Sequence, residues 1–189
     1  DSLDLLLSNT SPDLIINCVG ITIRRGIDNN LKNTKILNSN LPHKLDSWAS
    51  LNSKKLIHFS TDCVFSGSKG NYLDNDIADA EDIYGKTKAK GEVASPNTLT
   101  LRCSMIGREL FNFTELFEWL VKNKNKTIDG YSNVLYSGIT TVRMGNILKK
   151  IINDKIDLSG IYNLSSIPIS KYDLLFKLSN AFDLNVEIN

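Results

Sequence analysis

The chain has 189 residues, 41% of them hydrophobic and 23% charged. That composition places it with globular proteins able to bury a sizeable core and excludes disordered, fibrous and membrane-spanning classes. Its 22 lysines and arginines nearly balance its 21 aspartates and glutamates, for a formal net charge of +1, so no nucleic acid or other polyanion partner is indicated. The longest apolar runs fall far short of the ~20 residues needed to span a bilayer, and the first residues lack a basic-then-apolar leader. No membrane partner and a cytoplasmic location are therefore expected.

In chain order, Asp1 to Leu7 has a helical apolar pattern, and Ser8 to Asp13 carries turn chemistry. The run Leu14-Ile15-Ile16-Asn17-Cys18-Val19-Gly20 is nearly continuous and branched, the pattern of a strand buried on both faces of a parallel sheet. Gly20 stands at its end, where a doubly wound sheet binds its cofactor and a missing side chain lets a flat ring or ribose approach the backbone. An ordinary strand-ending glycine also satisfies the pattern. Cys18, Cys63 and Cys103 are widely spaced in or beside apolar runs, which predicts buried free thiols and neither a disulfide nor a metal site.

Asp28 to Asn52 predicts a long helix with Leu31, Ile36, Leu37, Leu41, Leu45 and Trp48 inward. Pro42 predicts a start or kink near Asn38 to Leu41. Asn38, in an asparagine-rich stretch, suits a surface or capping position. His43 and His58 read as structural, since neither has the carboxylate or serine partner a triad needs. Lys55 to Ser60 is the next parallel strand, with Thr61 and Asp62 beyond its end. Asp62 suits either a ligand contact or a turn. Gly67 to Asn71 forms a turn, and the acidic stretch Asp74 to Asp82 is a solvated loop able to cap the helix after it.

That helix carries Tyr84 and Lys88, four residues apart and hence on one face. A phenol titrates near ~10 when free, and an ammonium beside it favours the phenolate, lowering the value toward neutrality. Such a pair suits proton delivery, with the Thr61 hydroxyl directed at the same substrate oxygen. Thr98 to Cys103 is a further strand, followed by Ser104-Met105-Ile106-Gly107, and Arg102 fits either an ion pair or a solvated edge. Helices are predicted over Phe111 to Lys122 (Phe113, Leu116, Phe117 and Leu120 inward, Trp119 partly), Thr141 to Ile152 and Ile169 to Phe182, with a strand from Gly160.

The strand Leu56 to Ser60, the segment Ser60-Thr61-Asp62-Cys63-Val64-Phe65-Ser66-Gly67, the loop and Tyr84-Gly85-Lys86-Thr87-Lys88-Ala89-Lys90-Gly91-Glu92 follow one another in order. Together they resemble the extended short-chain dehydrogenase/reductase superfamily, most closely the dTDP-4-dehydrorhamnose reductase family. The resemblance implies an α/β Rossmann-type parallel sheet, represented by its C-terminal half, with a small α/β substrate lobe. Residues 1–108 would be the partial cofactor-binding domain and 109–189 mainly the nucleotide-sugar lobe. It implies NADPH or NADH as cofactor, with Cys18, Val19, Gly20, Asn38, Phe59, Tyr84, Lys88 and Ser104 lining it. Thr61, Asp62 and Met105 would contact a nucleotide-linked 4-keto-6-deoxy sugar, and Thr61, Tyr84 and Lys88 would be catalytic. Family habit suggests a homodimer. Two departures, Cys63 where tyrosine is common and Met105 where tryptophan is common, bear on which sugar fits. No Gly-x-Gly-x-x-Gly or Gly-x-x-Gly-x-x-Gly occurs, so the phosphate loop that follows the first Rossmann strand is absent and a fragment is expected. The rival functions are an epimerase or dehydratase of the same superfamily and a non-catalytic subunit resembling the regulatory partner of methionine adenosyltransferase.

Overall fold

The computed structural model describes residues 2–22 and 31–189. The expected helix start at Asp28 lies outside the described residues. The chain divides into two compact units, one formed by Asp1–Cys103 with Asp157–Asn163, the other by Ser104–Ile156 with Leu164–Asn189.

The first unit is built on four parallel strands: β1 (Leu14–Asn17), β2 (Lys55–Ser60), β3 (Thr98–Arg102) and β8 (Gly160–Asn163), in that spatial order. Every neighbouring pair is parallel, as expected from the apolar runs. Strand β2 is buried from Leu56 to Ser60 and β3 along its whole length, so both faces are covered. The polar members of these strands meet that constraint by hydrogen bonding: Thr98 donates to Asp46 at 2.6 Å and Thr100 to the Val93 carbonyl at 2.8 Å. Strand β1 differs from expectation. It ends at Asn17 rather than Gly20, and Ile16 is 40% exposed because, among the described residues, β1 pairs on one side only.

Helix α1 (Ser2–Thr10) and the helical run from Leu31 to Leu51 cover the sheet, with Leu7, Leu45, Ala49 and Leu56 forming a shared core. The second run is α2 (Leu31–Lys35), a π turn (Ile36–Asn40) and α3 (Leu41–Leu51). The expected interruption therefore occurs as a π turn, one residue wider than the α-helical turn, just before Pro42. Its extra residue rotates the helix face: Ile36, predicted inward, is 43% exposed, whereas Asn38 and Ser39 are buried. Helix α4 (Ile83–Ala89) starts at Asp82, whose carboxylate accepts from the Gly85 amide at 3.0 Å. One acidic residue of the loop thus caps the helix carrying Tyr84.

The second unit contains three short strand pairs: β4 (Met105–Ile106) with β7 (Ile139–Thr140), β5 (Thr127–Ile128) with β10 (Glu187–Ile188), and β6 (Leu135–Tyr136) with β9 (Ile169–Ser170). Helices α5 (Leu116–Lys122), α6 (Thr141–Asn153) and α7 (Lys171–Ala181) accompany them. Leu120, Ile128, Leu175, Leu184 and Val186 form the unit's core. Helix α5 begins five residues later than the pattern suggested. Asn112 and Phe113 lie at φ of 69° and 52°, a left-handed conformation no α-helix can contain, and Phe113 is 43% exposed instead of inward. The Glu109 carboxylate accepts from the amides of Thr114 and Glu115 and fixes this entry.

Leu120 is fully buried and Leu51 is 86% exposed, which separates core from surface experimentally. Leu120→Ala should lower stability by about 2–5 kcal/mol. Leu51→Ala should stay within about 0.5 kcal/mol of wild type, both read by denaturant titration.

Candidate active site

At the carboxyl end of β2 the chain leaves the sheet at Thr61 and turns through a single 3₁₀ turn, Asp62–Val64. The Thr61 hydroxyl accepts from the Cys63 amide at 3.2 Å and donates to Asp62 Oδ1 at 3.2 Å. Thr61 is thus the cap of that turn, and it lies close enough to Tyr84 to act on its phenol. Two glycines let α4 come this close. A Cβ on Gly85 would collide with the Cys63 carbonyl oxygen and the Ala80 methyl, and one on Gly91 with the Asn38 carbonyl. The helix is pressed against the Thr61 turn at one end and against the π turn at the other.

Lys88 is 4% exposed, and its ammonium donates to the Phe59 carbonyl at 2.7 Å. Burial pulls its pKa from 10.5 down to about 8, against an upward influence from Cys103 and Glu92. Asn38 is fully buried. Its amide accepts from Ile21 N at 2.8 Å, donates to Ile21 O at 2.9 Å and reaches Thr87 Oγ1 at 3.3 Å. Asn38 therefore ties the segment after Gly20 to α4. A Cβ placed on Gly20 would lie 3.5 Å from Asn38 Oδ1 and 3.7 Å from Lys88 Nζ, so Gly20 opens directly toward both side chains. Next to it, Asn17 accepts from Val19 N at 3.1 Å and its Nδ2 lies 3.1 Å from His58 Nδ1. His58 is buried, and desolvation drives its pKa down to about 3. It remains a neutral structural residue, as expected.

Of the sequence-derived site residues, Cys18, Val19, Gly20, Asn38, Phe59, Thr61, Asp62, Tyr84 and Lys88 all fall in the first unit. Ser104 and Met105 open the second, where Ser104 O accepts from Ile139 N at 3.0 Å and Met105 pairs with Ile139. Two expectations change. Cys18 and Cys63 are exposed, and only Cys103 is a buried thiol, because Cys18 lies past the end of β1 and Cys63 in the turn after β2. The lowering of Tyr84 toward neutrality also does not occur: burial pushes its phenol up to about 12, against a lowering by Thr61. The Lys88 ammonium is engaged by the Phe59 carbonyl and does not act on the phenol, whose desolvation, helped by the thiol and carboxylate groups of Cys63 and Asp62, outweighs the influence of Thr61. Among the described residues no group of three histidine, cysteine or acidic side chains is placed to hold a metal, and no helix is long and apolar enough to cross a membrane.

Sequence reasoning missed the partnership of Glu92 and Arg102, which form a buried bidentate ion pair. The sequence offers an ion pair at Arg102 but nothing that marks Glu92, at the end of a lysine-rich segment, as its partner.

A model of the RmlD substrate binding domain matches residues 1–174. The chain belongs to this family. It is 30% identical over 178 residues to a dTDP-4-dehydrorhamnose reductase of Aggregatibacter actinomycetemcomitans, covering 89% of this chain and 60% of the relative. It is 23% identical to methionine adenosyltransferase 2 subunit beta of Bos taurus, covering 95% of this chain and 57% of that protein. The chain thus spans about three-fifths of the length of these curated relatives. In fold it is similar to the dTDP-4-dehydrorhamnose reductase of Bacillus anthracis, solved in complex with NADP, with a TM-score of 0.85 at 19% identity over 99% of this chain and 69% of that one. For this member of the RmlD substrate binding domain family, a Rossmann-type α/β fold with a parallel sheet is established.

The geometry gives two expected outcomes. Gly85→Ala should separate α4 from the Thr61 turn and destabilise the chain by about 1–3 kcal/mol, seen as a lower unfolding midpoint. In an alkaline difference titration against Tyr84→Phe, the wild type should show one additional tyrosine ionising near pH 12 rather than near its ordinary 10. Between these values the folded state holds a proton that the unfolded state has lost, so this group's contribution to stability falls as pH rises from 10 to 12.

Proposed function

We propose that the full protein is an NAD(P)H-dependent reductase of a nucleotide-linked 4-keto-6-deoxy sugar. The observation that carries this is the placement of Tyr84 and buried Lys88 one helical turn apart on α4, which packs at Gly85 against the turn that Thr61 caps. The similarity to reductases, one of them solved with NADP, supports the same assignment.

The residues present suit a nicotinamide cofactor. Gly20 leaves open the space facing Asn38 and Lys88, and Cys18, Val19, Gly20, Phe59 and Lys88 would hold its ribose end, with Ser104 adding a contact. Asn38 contributes by position, since its amide is already engaged by Ile21 and Thr87. The cofactor, when bound, supplies the hydride that reduces the substrate carbonyl. Tyr84 holds its proton throughout the physiological range and delivers it to the carbonyl oxygen as negative charge develops there. A phenol held this high is still far more acidic than an alcohol, so transfer to an alkoxide remains downhill. Thr61, turning its hydroxyl proton from Asp62, would donate a hydrogen bond to the same oxygen. Lys88 holds a positive charge below about pH 8 and offers its ammonium to a ribose hydroxyl. Asp62, exposed beside Thr61, and Met105 would contact the sugar. Sugar-nucleotide reduction of this kind belongs to the cytoplasmic supply of polysaccharide precursors. Asp62 alone does not supply the carboxylate pair that an epimerase or dehydratase commonly needs near Thr61, and an intact Thr61, Tyr84 and Lys88 set does not favour a purely regulatory subunit.

With the full-length protein, a dTDP-4-keto-6-deoxy sugar and NADPH, Tyr84→Phe should lower kcat by about 10²-fold or more with the KM for NADPH within about 3-fold of wild type. Equal rates for the two proteins would remove the proposed acid.

A further inference from the structure

One ion pair of the first unit lies outside the proton path yet touches the segments on either side of the Thr61 turn. Arg102 ends β3, and its Nε and Nη2 donate to Glu92 Oε1 and Oε2, each at 2.8 Å, with both side chains 6% exposed. Its remaining donor, Nη1, reaches the Asp74 carbonyl at 3.1 Å. The guanidinium lies 4.8 Å from the centre of the Phe65 ring, which stacks on Tyr72 at 4.2 Å. Ser60 Oγ donates to Glu92 Oε1 at 2.7 Å.

The positions of these partners along the chain give the pair its meaning. Ser60 immediately precedes Thr61. Phe65 follows the 3₁₀ turn that Thr61 caps. Asp74 belongs to the loop between that turn and α4, and Glu92 lies one turn beyond Lys88. A buried ion pair gives little stability over a well-packed apolar replacement, because desolvation offsets its attraction. Its planar, bidentate hydrogen bonds do fix direction, which apolar contacts do not.

We propose that Glu92 and Arg102 form a positioning unit that clamps the Thr61 turn against the Tyr84–Lys88 helix and holds a carboxylate on Ser60, next in the strand to the Phe59 carbonyl that Lys88 engages. The proposal rests on the reductase function above. Arg102 does so through direction as well as charge, since a lysine cannot span both carboxylate oxygens and the Asp74 carbonyl together. The titratable groups that act on Lys88 are Glu92, Cys103 past the end of β3 and His58 in β2, and of these Glu92 and Cys103 favour its protonated form.

The test uses the full-length protein with Arg102→Lys and Glu92→Gln, each checked by cooperative thermal unfolding. The expected result is a kcat lowered about 10-fold or more with NADPH affinity, measured by fluorescence titration, within about 3-fold of wild type. In Glu92→Gln the alkaline limb of kcat and the NMR titration of isotope-labelled Lys88 should both move to lower pH. A folded Arg102→Lys with kcat within about 2-fold of wild type, or a Lys88 titration unmoved in Glu92→Gln, overturns the proposal. So does parallel loss of kcat, NADPH affinity and melting temperature, the mark of a merely structural pair. Should either variant fail to fold, Ser60→Ala removes a single bond to Glu92, and an unchanged kcat there also overturns it. A wild type that turns over no keto sugar nucleotide ends the reductase function instead, while the Lys88 titration still decides the clamp.

Discussion

A lysine held 4% exposed, with its ammonium 2.7 Å from the Phe59 carbonyl, constrains everything around the end of β2. A charge that deep demands a strong acceptor and a nearby anion, or it surrenders its proton. The Phe59 carbonyl supplies the first and the Glu92 carboxylate contributes the second. Both are in place only when α4 lies tight against the sheet. Gly85 and Gly91 permit that approach by carrying no side chain at the two contact points, and the π turn presents Asn38 and Ser39 to the same helix. Ser39 donates to the Thr87 carbonyl at 2.8 Å, so the irregular turn is bonded to the helix that carries Lys88.

The same packing explains why Tyr84 and Lys88 differ so much in their titration although they share a helix face. Desolvation opposes charge in both, and since one is an acid and the other a base it moves them in opposite directions, to about 12 and about 8. Both shifts favour neutral groups. The tyrosine proton is thereby kept in place, while the lysine charge becomes dependent on its few partners.

Periodicity and motif order were enough to show the parallel sheet and the long first-unit helix with its interruption, because each is written in local residue spacing, and the same spacing is what singles out Thr61, Tyr84 and Lys88 as candidates. What was not legible depends on contacts between distant positions. The Glu92–Arg102 pair joins residues ten apart across a strand entry, and nothing in the local pattern distinguishes it from two surface charges. The exposure of Cys18 and Cys63 follows from where strands β1 and β2 stop, a boundary that apolar runs define poorly. Phe113 failed as a helix residue because Glu109 holds the preceding turn, a side-chain choice that hydrophobic spacing does not record. The direction of the Tyr84 shift was misjudged for a related reason: sequence shows that a lysine is near but not how far packing strips water from the phenol.

The chain's path between β3 and β8 affects how the molecule assembles. These strands are adjacent partners, Leu99 with Gly160 through Arg102 with Asn163, yet the stretch Ser104–Ile156 of the second unit is threaded between them. During synthesis β1, β2 and β3 can pair as soon as they emerge, while the fourth strand must await the whole of that stretch, and the second unit is completed only by Leu164–Asn189 after it. Closing a loop of that length is slow, though folding the inserted residues first shortens the effective span. The edge of β3 is thus a transiently unpaired template, the kind of exposed strand that favours association between nascent chains.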